Sequence, residues 1–210
     1  MIRILVADDH SVVREGIKQI LAGLDDMTVE DEAGSGQEVL LKMTAKDYDL
    51  VLLDISMPGK SGLEVLEEIK VMKPRVPVLI LSMHPEEQYA VRMLRAGASG
   101  YLTKASAPQE LISAIRKVSR GGKYVTVSLA EKLAFELDAG AEKPRHERLS
   151  NREYQVMLLL ASGMSVSEVA EDLCLSAKTI STYRTRILDK MDMKKNAELT
   201  LYAVKNNLII

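Results

Sequence analysis

The fold of the N-terminal half is decided by Ile2-Arg3-Ile4-Leu5-Val6-Ala7-Asp8-Asp9, an apolar run that ends in two aspartates. A later run, Leu50-Val51-Leu52-Leu53, is followed in the same way by Asp54. Continuous apolar runs are typical of parallel strands covered on both faces, and open α/β sheets bind ligands outside the carboxyl ends of their strands. Three carboxylates gathered there would repel one another without a cation. The pattern therefore predicts a divalent metal at this edge, and an all-oxygen set with few protein ligands favours Mg²⁺.

Short apolar runs alternate with helix-period segments as far as Gly121-Gly122, which is typical of a parallel sheet with crossover helices. Five such units fit, so we predict a doubly wound five-stranded sheet. Gly23 should end the first helix, Ser35 and Glu38 should form a capping box, and Pro108 should open the fifth helix. The predicted strands are Ile2–Ala7, residues 28–32, Leu50–Leu53, residues 76–81 and residues 100–102.

From residue 149 onward the pattern is purely helical, with start signals for four helices. The third helix is the longest and should run to about Met191. It follows the second after only a short turn, which indicates a helix-turn-helix with its recognition helix in the basic region. The predicted starts are Ser150 with Glu153 as a capping box, Ser165 with Glu168 as another, Ser176, and about Asn196.

The segment between these two patterns should connect two domains. It has the pattern of a short helix over residues 129–137, followed over residues 138–147 by small, charged and proline residues that predict a mobile tether. We therefore predict an α/β domain over residues 1–122, a linker over residues 123–148 and an all-α domain over residues 149–210.

Composition bounds the class of protein. With 210 residues, of which 47% are hydrophobic and 28% charged, the chain can form one large or two small globular domains. It contains no eighteen-residue apolar run and no signal-peptide pattern, so we expect a cytoplasmic protein without a membrane partner. Cys174, which lies between two leucines, is expected to be buried, and the three histidines have no companion cysteines at zinc spacing.

Basic charge is concentrated in one short segment. The whole chain has a formal net charge of −2, but residues 178–195 contain six Lys and Arg against two Asp, which leaves +4. Such a segment is expected of a helix that contacts the phosphates of nucleic acid, although a solvated helix face gives the same pattern.

The motifs of both halves resemble a known family. Residues 1–122 resemble the receiver domain of two-component response regulators, and residues 149–210 resemble the LuxR-type DNA-binding domain, a pairing found in NarL/FixJ-type regulators. Tyr183-Arg184 after Ser181-Thr182 is similar to the GacA/UvrY-like branch. The remaining motifs that carry the resemblance are Asp8-Asp9, Asp54-Ile55-Ser56-Met57-Pro58-Gly59, Ser82, Tyr101-Leu102-Thr103-Lys104, Leu149-Ser150-Asn151-Arg152-Glu153, Ala161-Ser162-Gly163, Val169-Ala170 and Leu175-Ser176-Ala177-Lys178-Thr179-Ile180.

The resemblance implies a phosphoprotein with a CheY-like or flavodoxin-like strand order of 2-1-3-4-5. Asp54 would be the nucleophile that accepts a phosphoryl group from a sensor histidine kinase or a small phosphodonor. Mg²⁺ would be bound by Asp9, Asp54 and the backbone carbonyl of Ser56, with Asp8 acting through water. We expect no enzyme activity beyond self-phosphorylation from a donor and slow hydrolysis of the protein's own acyl phosphate.

Further receiver residues would respond to the phosphoryl group. Lys104 and the hydroxyl of Ser82 would contact its oxygens, and Tyr101 would act as a switch that turns inward when Ser82 moves toward the phosphate. His84 and Ser56 would flank the path by which water reaches the acyl phosphate.

For the second domain, the resemblance implies contact between a recognition helix and double-stranded promoter DNA. The residues expected to face base edges are Lys178, Ser181, Thr182 and Thr185, and those expected to contact phosphates are Ser176, Thr179, Tyr183, Arg184, Arg186 and Lys190.

Phosphorylation would promote a homodimer that binds an inverted repeat. In this hypothesis the last helix joins the two DNA-binding domains around Leu199 and Ala203, and RNA polymerase is a further candidate partner. Two alternatives stay open at this point. A signalling adaptor could bind protein through its C-terminal domain, and a phosphatase could use the acidic cluster, although Ser56 stands where such an enzyme would have a second aspartate.

Overall fold

A computed structural model, which describes residues 1–127, 129–131 and 144–209, divides the chain into two compact units, Met1–Ala134 and Phe135–Ile210. The predicted tether and most of the predicted helix over residues 129–137 lie outside the described residues. No helix within the described ranges combines the length and the apolar composition needed to cross a bilayer.

The first unit contains a five-stranded parallel sheet in the order β2-β1-β3-β4-β5, which confirms the predicted fold. Its strands are β1 (Ile2–Ala7), β2 (Met27–Ala33), β3 (Leu50–Leu53), β4 (Val78–Ser82) and β5 (Gly100–Thr103). Its helices are α1 (Ser11–Leu21), α2 (Gly36–Ala45), α3 (Gly62–Met72), α4 (Glu86–Arg95) and α5 (Pro108–Ser119).

The three central strands are mostly apolar because both faces of the sheet are covered. Every residue of β3 and β4 is buried, as are the last four of β1. Successive side chains of a strand point to opposite faces, so alternate residues such as Ile4 and Val6 join the core under α1 and α5, while Leu5 and Ala7 are buried on the other face.

Local signals set the strand boundaries of the first unit to within two residues, and two of the differences have a visible cause. The amide of Val76 donates to the carbonyl of Lys73 in a turn, so β4 begins at Val78 instead of residue 76. Ser35 does accept a hydrogen bond from the amide of Glu38, but the carboxylate of Glu38 accepts from the amide of Gly34, so the reciprocal half of the predicted capping box is absent between these residues.

The second unit contains a short 3₁₀ helix, Arg145–Arg148, and the four helices that the pattern predicted. Full capping boxes form at Ser150 with Glu153 and at Ser165 with Glu168. Leu149, Tyr154, Ile187 and further apolar side chains form its core. The helices are α6 (Asn151–Ala161), α7 (Val166–Asp172), α8 (Ala177–Met191) and α9 (Asn196–Lys205).

Both ends of the predicted linker contact a unit. Tyr124 forms a parallel bridge with Gly100 beside β5, and Arg145 donates a hydrogen bond to the carbonyl of Met191. The domain boundaries at residues 122 and 149 remain predictions.

The expectation that Cys174 is buried is wrong. Cys174 is exposed and has a φ of 51° in the turn between α7 and α8, where its amide donates to the carbonyl of Glu171. The neighbouring leucines are covered to different extents, since Leu173 is buried and Leu175 is half-buried. A turn that reverses the chain between two helices directs successive side chains to different sides, so apolar neighbours did not predict burial.

Candidate functional site

One edge of the sheet collects the polar side chains that follow four strands. Asp8 and Asp9 follow β1, Asp54 follows β3, Ser82 ends β4 and Lys104 follows β5. The strands are parallel and pair in register, with Ala7 opposite Leu53 and Ser82 opposite Thr103, so these carboxyl ends lie side by side.

The Lys104 ammonium connects two buried carboxylates. Its Nζ lies 2.6 Å from Oδ2 of Asp8 and 2.7 Å from Oδ2 of Asp54, and the three side chains are 7%, 2% and 1% exposed. The contact with Asp54 is a hydrogen bond, whereas Oδ2 of Asp8 has ion-pair distance without hydrogen-bond geometry and is buried without a hydrogen-bond partner. A buried charge without full compensation is costly, so this atom favours a cation in the cluster.

Burial and ion pairing oppose one another in the protonation of this cluster. Burial raises the pKa of the Asp54 carboxyl, while Lys104 and the amide of Ser56, which donates to Oδ1 at 3.1 Å, act to lower it. Burial would lower the pKa of the Lys104 ammonium, but the hydrogen bond to Asp54 and the close negative charge of Asp8 outweigh it and raise the pKa. Lys104 is therefore held in its charged form beside the carboxylates.

The same cluster has the donor set of a hard metal. Asp8, Asp9, His10 and Asp54 each offer a ligand atom, and these atoms lie within 4.8 Å of one another. Three of the four are carboxylate oxygens, which suit Mg²⁺, so the residues fit the ion that the sequence predicted.

His10 is the member of this cluster that the sequence analysis missed. Its Nδ1 lies 2.8 Å from Oδ1 of Asp9 and 3.2 Å from Oδ1 of Asp8. Its position directly after Asp8-Asp9 was the available signal. The predicted ligation by the carbonyl of Ser56 remains a prediction.

Ser82 and Tyr101 are joined through the backbone of His84. Ser82 is fully buried, and its hydroxyl accepts a hydrogen bond from the amide of His84 at 3.0 Å. Tyr101 is 1% exposed and its hydroxyl donates to the carbonyl of His84 at 2.8 Å. Tyr101 thus already lies inward in this structure, and its role as a switch remains a prediction.

The side chain of His84 reaches toward the phosphoacceptor loop. Its Nε2 lies 3.3 Å from the hydroxyl of Ser56, and its ring lies 4.9 Å from the ring of Tyr89. Met83 between Ser82 and His84 is 73% exposed. His84 and Ser56 are therefore adjacent in space, as expected of two residues that flank one path.

Gly62 lets the start of α3 approach the backbone that carries Asp54. A Cβ at this position would lie 2.4 Å from the carbonyl oxygen of Asp54 and 2.4 Å from the Cα of Ile55. Both are backbone atoms, so relieving the clash requires a costly shift of the backbone. We expect Gly62→Ala to lower the free energy of unfolding of the first unit by about 1–3 kcal/mol, as overpacking does.

Gly16→Ala is the matched control for this prediction. Gly16 lies within α1 and a Cβ there meets nothing within 4 Å, so the same substitution should stabilise by up to about 1 kcal/mol through helix propensity. Urea unfolding of both variants checks the pair. Equal stability of the two would contradict the close approach at Gly62.

The recognition helix candidate α8 presents most of its predicted contact residues to solvent. Lys178, Ser181, Thr182, Thr185 and Arg186 are exposed. The hydroxyls of Thr182 and Thr185 donate to the carbonyls one turn earlier, at 3.0 and 3.2 Å.

Four other predicted contact residues of α8 are hydrogen-bonded to other side chains or half-buried. Thr179 contacts the hydroxyl of the N-cap Ser176 at 2.7 Å, Arg184 donates to Asn196 at 2.7 Å, and Lys190 donates to Glu153 at 2.7 Å. Tyr183 is half-buried. Phosphate contacts by Arg184 and Lys190 would compete with these bonds and remain predictions.

Glu153 is a capping carboxylate that also holds α8 against α6. It is 4% exposed, accepts from the amide of Ser150, and pairs with Lys190. Burial acts to raise its pKa, but Lys190 and Ser150 outweigh this effect, so its pKa lies below the usual 4.5. A lowered pKa contributes stability that is present above pH 4.5 and is lost as the pH falls through the folded-state pKa.

We expect Glu153→Gln to destabilise the second unit by about 1–3 kcal/mol near neutral pH, because charge-assisted hydrogen bonds are lost in a buried place. The difference from the unchanged protein should shrink as the pH falls from 4.5 through the lowered folded-state pKa, because Glu153 itself becomes protonated there. Amide hydrogen exchange in α6 between pH 3 and 7 measures this loss of stability. Glu168→Gln, in an exposed capping box, is the control, and an equal loss in both variants would contradict the special role of Glu153.

Comparisons with known proteins bear on both halves of the chain. Residues 4–116 match the model of the response regulator receiver domain, and residues 147–203 match that of the bacterial regulatory proteins of the luxR family. The chain belongs to the two-component response regulators of the NarL/FixJ type.

Similar proteins cover nearly the full chain. The response regulator GacA of Pseudomonas protegens is 38% identical over 209 residues, which cover 100% of this chain and 98% of the relative. The response regulator UvrY of Escherichia coli K12 is 37% identical, covering 99% of this chain and 96% of the relative.

A solved structure of RcsB from Salmonella enterica serovar Typhimurium, bound to the promoter rprA in the presence of the phosphomimetic BeF₃⁻, is 26% identical. It covers 97% of this chain and 99% of the RcsB chain, with a TM-score of 0.65. This response regulator is accordingly a phosphorylation-regulated transcription regulator rather than a conventional enzyme, and its sheet is the receiver sheet.

Proposed function

We propose that Asp54 is the phosphoacceptor and that a sensor histidine kinase supplies the phosphoryl group. The observation that carries this proposal is the Asp54 carboxylate, 1% exposed, held beside the Lys104 ammonium at 2.7 Å in a cluster with two further carboxylates, those of Asp8 and Asp9. A carboxylate oxygen attacks phosphorus, the P–N bond of the donor phosphohistidine breaks, and its electron pair returns to the imidazole.

The chain's own residues prepare this transfer. Asp8, Asp9 and Asp54, with the carbonyl of Ser56, would hold Mg²⁺, which when bound neutralises charge on the phosphoryl oxygens. Lys104 can exchange its contact with Asp54 for one with a phosphoryl oxygen, since an ammonium has three donors on a flexible stem. The Ser82 hydroxyl can likewise rotate from the amide of His84 toward the phosphate.

We further infer that the phosphorylated form returns slowly to the resting form by hydrolysis. Water attacks the phosphorus of the acyl phosphate, which regenerates the Asp54 carboxylate and releases phosphate. His84 and Ser56 border the phosphoacceptor, so they control how readily this water enters. The protein would thus phosphorylate itself from a donor and dephosphorylate itself slowly.

We infer that the second unit binds promoter DNA through α8, in the cytoplasm, and that phosphorylation promotes a homodimer there. Six basic residues against two acidic ones over residues 178–195 supply the attraction for phosphates. Lys178 and Ser181 are exposed at the start of the helix, where helix-turn-helix proteins contact base edges. RNA polymerase is a further candidate partner.

The dimer surface of α9 must differ from the one first expected. Leu199 and Ala203 are fully buried in the core of their own unit and are unavailable to a partner. Leu201 and Val204 of the same helix are 71% and 50% exposed, so they take the place of Leu199 and Ala203 in the proposed contact. The helical period carries positions 199 and 203 to one side and positions 201 and 204 toward another.

The experiment that tests the function compares the full chain with and without beryllofluoride and Mg²⁺. We expect the phosphomimetic to shift the chain from monomer to dimer in analytical ultracentrifugation, and to tighten binding to an inverted-repeat operator whose half-sites lie about 10 bp apart. Identical oligomeric state and identical operator affinity in both conditions would overturn the proposal.

A variant separates base reading from general attraction. Lys178→Ala should reduce the discrimination between operator and scrambled DNA by about 1–3 kcal/mol, because the hydrogen bond from the lysine to guanine acceptors is lost. Lys205→Ala, the same change at an exposed position at the end of α9, is the control and should leave discrimination unchanged. Retained discrimination in Lys178→Ala would remove that residue from the base-reading set.

A further inference from the structure

A basic cleft lies at the edge of the first unit opposite Asp54. Its volume is about 390 Å³, within the range of roughly 300–1,000 Å³ that small-molecule sites occupy. Pro77 before β4 and Ser99 before β5 form one side, and the ends of α3, α4 and α5 contribute Lys70, Arg95 and Val118. The cleft is therefore separated from the phosphoacceptor by the length of β4 and β5.

The lining of this cleft has one sign of charge. Of its twelve residues, four are basic and none is acidic or aromatic. The basic residues are Lys70, Arg75, Arg95 and Lys123. Cations focused in a concave surface attract anions more strongly than the same cations on a flat one.

Two of these cations have their ammonium groups fixed by the backbone. Nζ of Lys70 donates to the carbonyl of Val76 at 2.6 Å, and Nζ of Lys123 donates to the carbonyl of Ala98 at 2.6 Å. Each ammonium has three donors, so these bonds leave others available. Among the residues that the structure describes, neither ammonium forms a salt bridge.

The two ammonium groups also repel one another. Burial lowers the pKa of Lys70, and the positive charge of Lys123 lowers it further. The stem of Lys70 passes close to Gly97, where an added Cβ would lie 3.2 Å from its Cγ. An anion between the two lysines would relieve this repulsion without rearranging the backbone.

We propose that this cleft binds a compact oxyanion that carries two or more negative charges, of the phosphoryl or polycarboxylate class. Lys70 and Lys123 would contact it as point charges, and Arg75 would close over it with a planar guanidinium, which matches either oxyanion with paired hydrogen bonds. A nucleobase is disfavoured because the lining offers no aromatic face for stacking.

The test is a titration of the metal-free full chain with pyrophosphate, and separately with citrate, followed by amide NMR. Metal-free protein leaves the acidic edge around Asp54 repulsive to both probes. The lining amides of Gly97, Gly121 and Gly122 report on the cleft, and amides of α8 report separately on the recognition helix. Sodium chloride at matched ionic strength is added to the reference sample.

We expect saturable shifts of the three glycine amides with at least one probe. Pyrophosphate alone would identify the phosphoryl class, citrate alone the polycarboxylate class, and both a general polyanion site. Arg75→Gln with Lys123→Gln should weaken binding on the order of tenfold, because two exposed charge contacts with the anion are lost. Arg75→Gln alone, at an exposed position, should weaken binding about threefold.

Arg120→Gln is the matched control, because Arg120 is exposed and adjoins Gly121 without lining the cleft. It carries the same change of charge and should leave the affinity unchanged. Shifts that do not saturate, that sodium chloride reproduces, that appear only in α8, or that weaken equally in Arg120→Gln would overturn the proposal.

Discussion

Replacing Asp54 with asparagine is expected to reduce phosphorylation of the chain by acetyl phosphate to background. The amide oxygen that replaces the carboxylate cannot form an acyl phosphate, while the shape of the side chain is kept. Asp54 is the carboxylate that accepts from both Lys104 and the amide of Ser56, at 2.7 and 3.1 Å. Intact-protein mass spectrometry in the presence of Mg²⁺ measures the incorporation.

The matched control for this experiment is Asp25→Asn. Asp25 is exposed in the turn before β2, and the same chemical change there should leave incorporation as it is in the unchanged chain. Peptide mapping then identifies the modified residue. Incorporation that persists in Asp54→Asn, or that maps to another residue of the unchanged chain, would rule out Asp54 as the phosphoacceptor.

Replacing Lys104 with methionine is expected to destabilise the first unit by about 3–5 kcal/mol in metal-free buffer near neutral pH. The substitution removes the cation from between Asp8 and Asp54, whose side chains are 2% and 1% exposed, and leaves two buried carboxylates to repel one another. The cost should shrink as the pH falls, because protonated carboxyls carry no charge to compensate. Hydrogen exchange of amides in β1 and β3 reports on this unit alone.

Two additions make this prediction specific. Lys104→Arg keeps the positive charge and should lose much less stability than Lys104→Met. Mg²⁺ should restore more stability to Lys104→Met than to the unchanged chain, because it then neutralises carboxylates that have no other cation. Equal stability of the methionine and arginine variants would show that Lys104 acts through packing. An equal effect of Mg²⁺ on Lys104→Met and on the unchanged chain would show that the metal does not neutralise these carboxylates.

Periodicity and capping were sufficient to predict the elements because both are properties of neighbouring residues. The apolar run of β3 and the serines before α6, α7 and α8 act within a few residues of themselves. Prediction from neighbouring residues failed at two positions. Glu38 bonds to the amide of Gly34 instead of completing its box, and Cys174 turns outward in a left-handed conformation.

The candidate site was predictable in part, since the parallel strands bring their carboxyl ends together whatever their sequence separation. Asp8 and Asp54 could be assigned to one edge on that ground. His10 directly follows Asp8 and Asp9, but adjacency alone did not assign it, because only the path of the chain after β1 brings its ring against both carboxylates. The inward position of Tyr101 likewise depends on the carbonyl of His84, which no pattern in the sequence locates.

The amino-acid sequence by itself determined the class of each domain, the strand and helix content, and the edge that carries the carboxylates, because hydrophobic period and capping chemistry act locally. Only the tertiary structure decided that Lys104 lies between Asp8 and Asp54, that Lys190 holds Glu153, and that Leu201 instead of Leu199 faces outward. It also assembled the basic cleft around Lys70 and Lys123, which are far apart in the chain. Such contacts depend on strand register and helix rotation, which the packing of the whole domain sets and no short segment encodes.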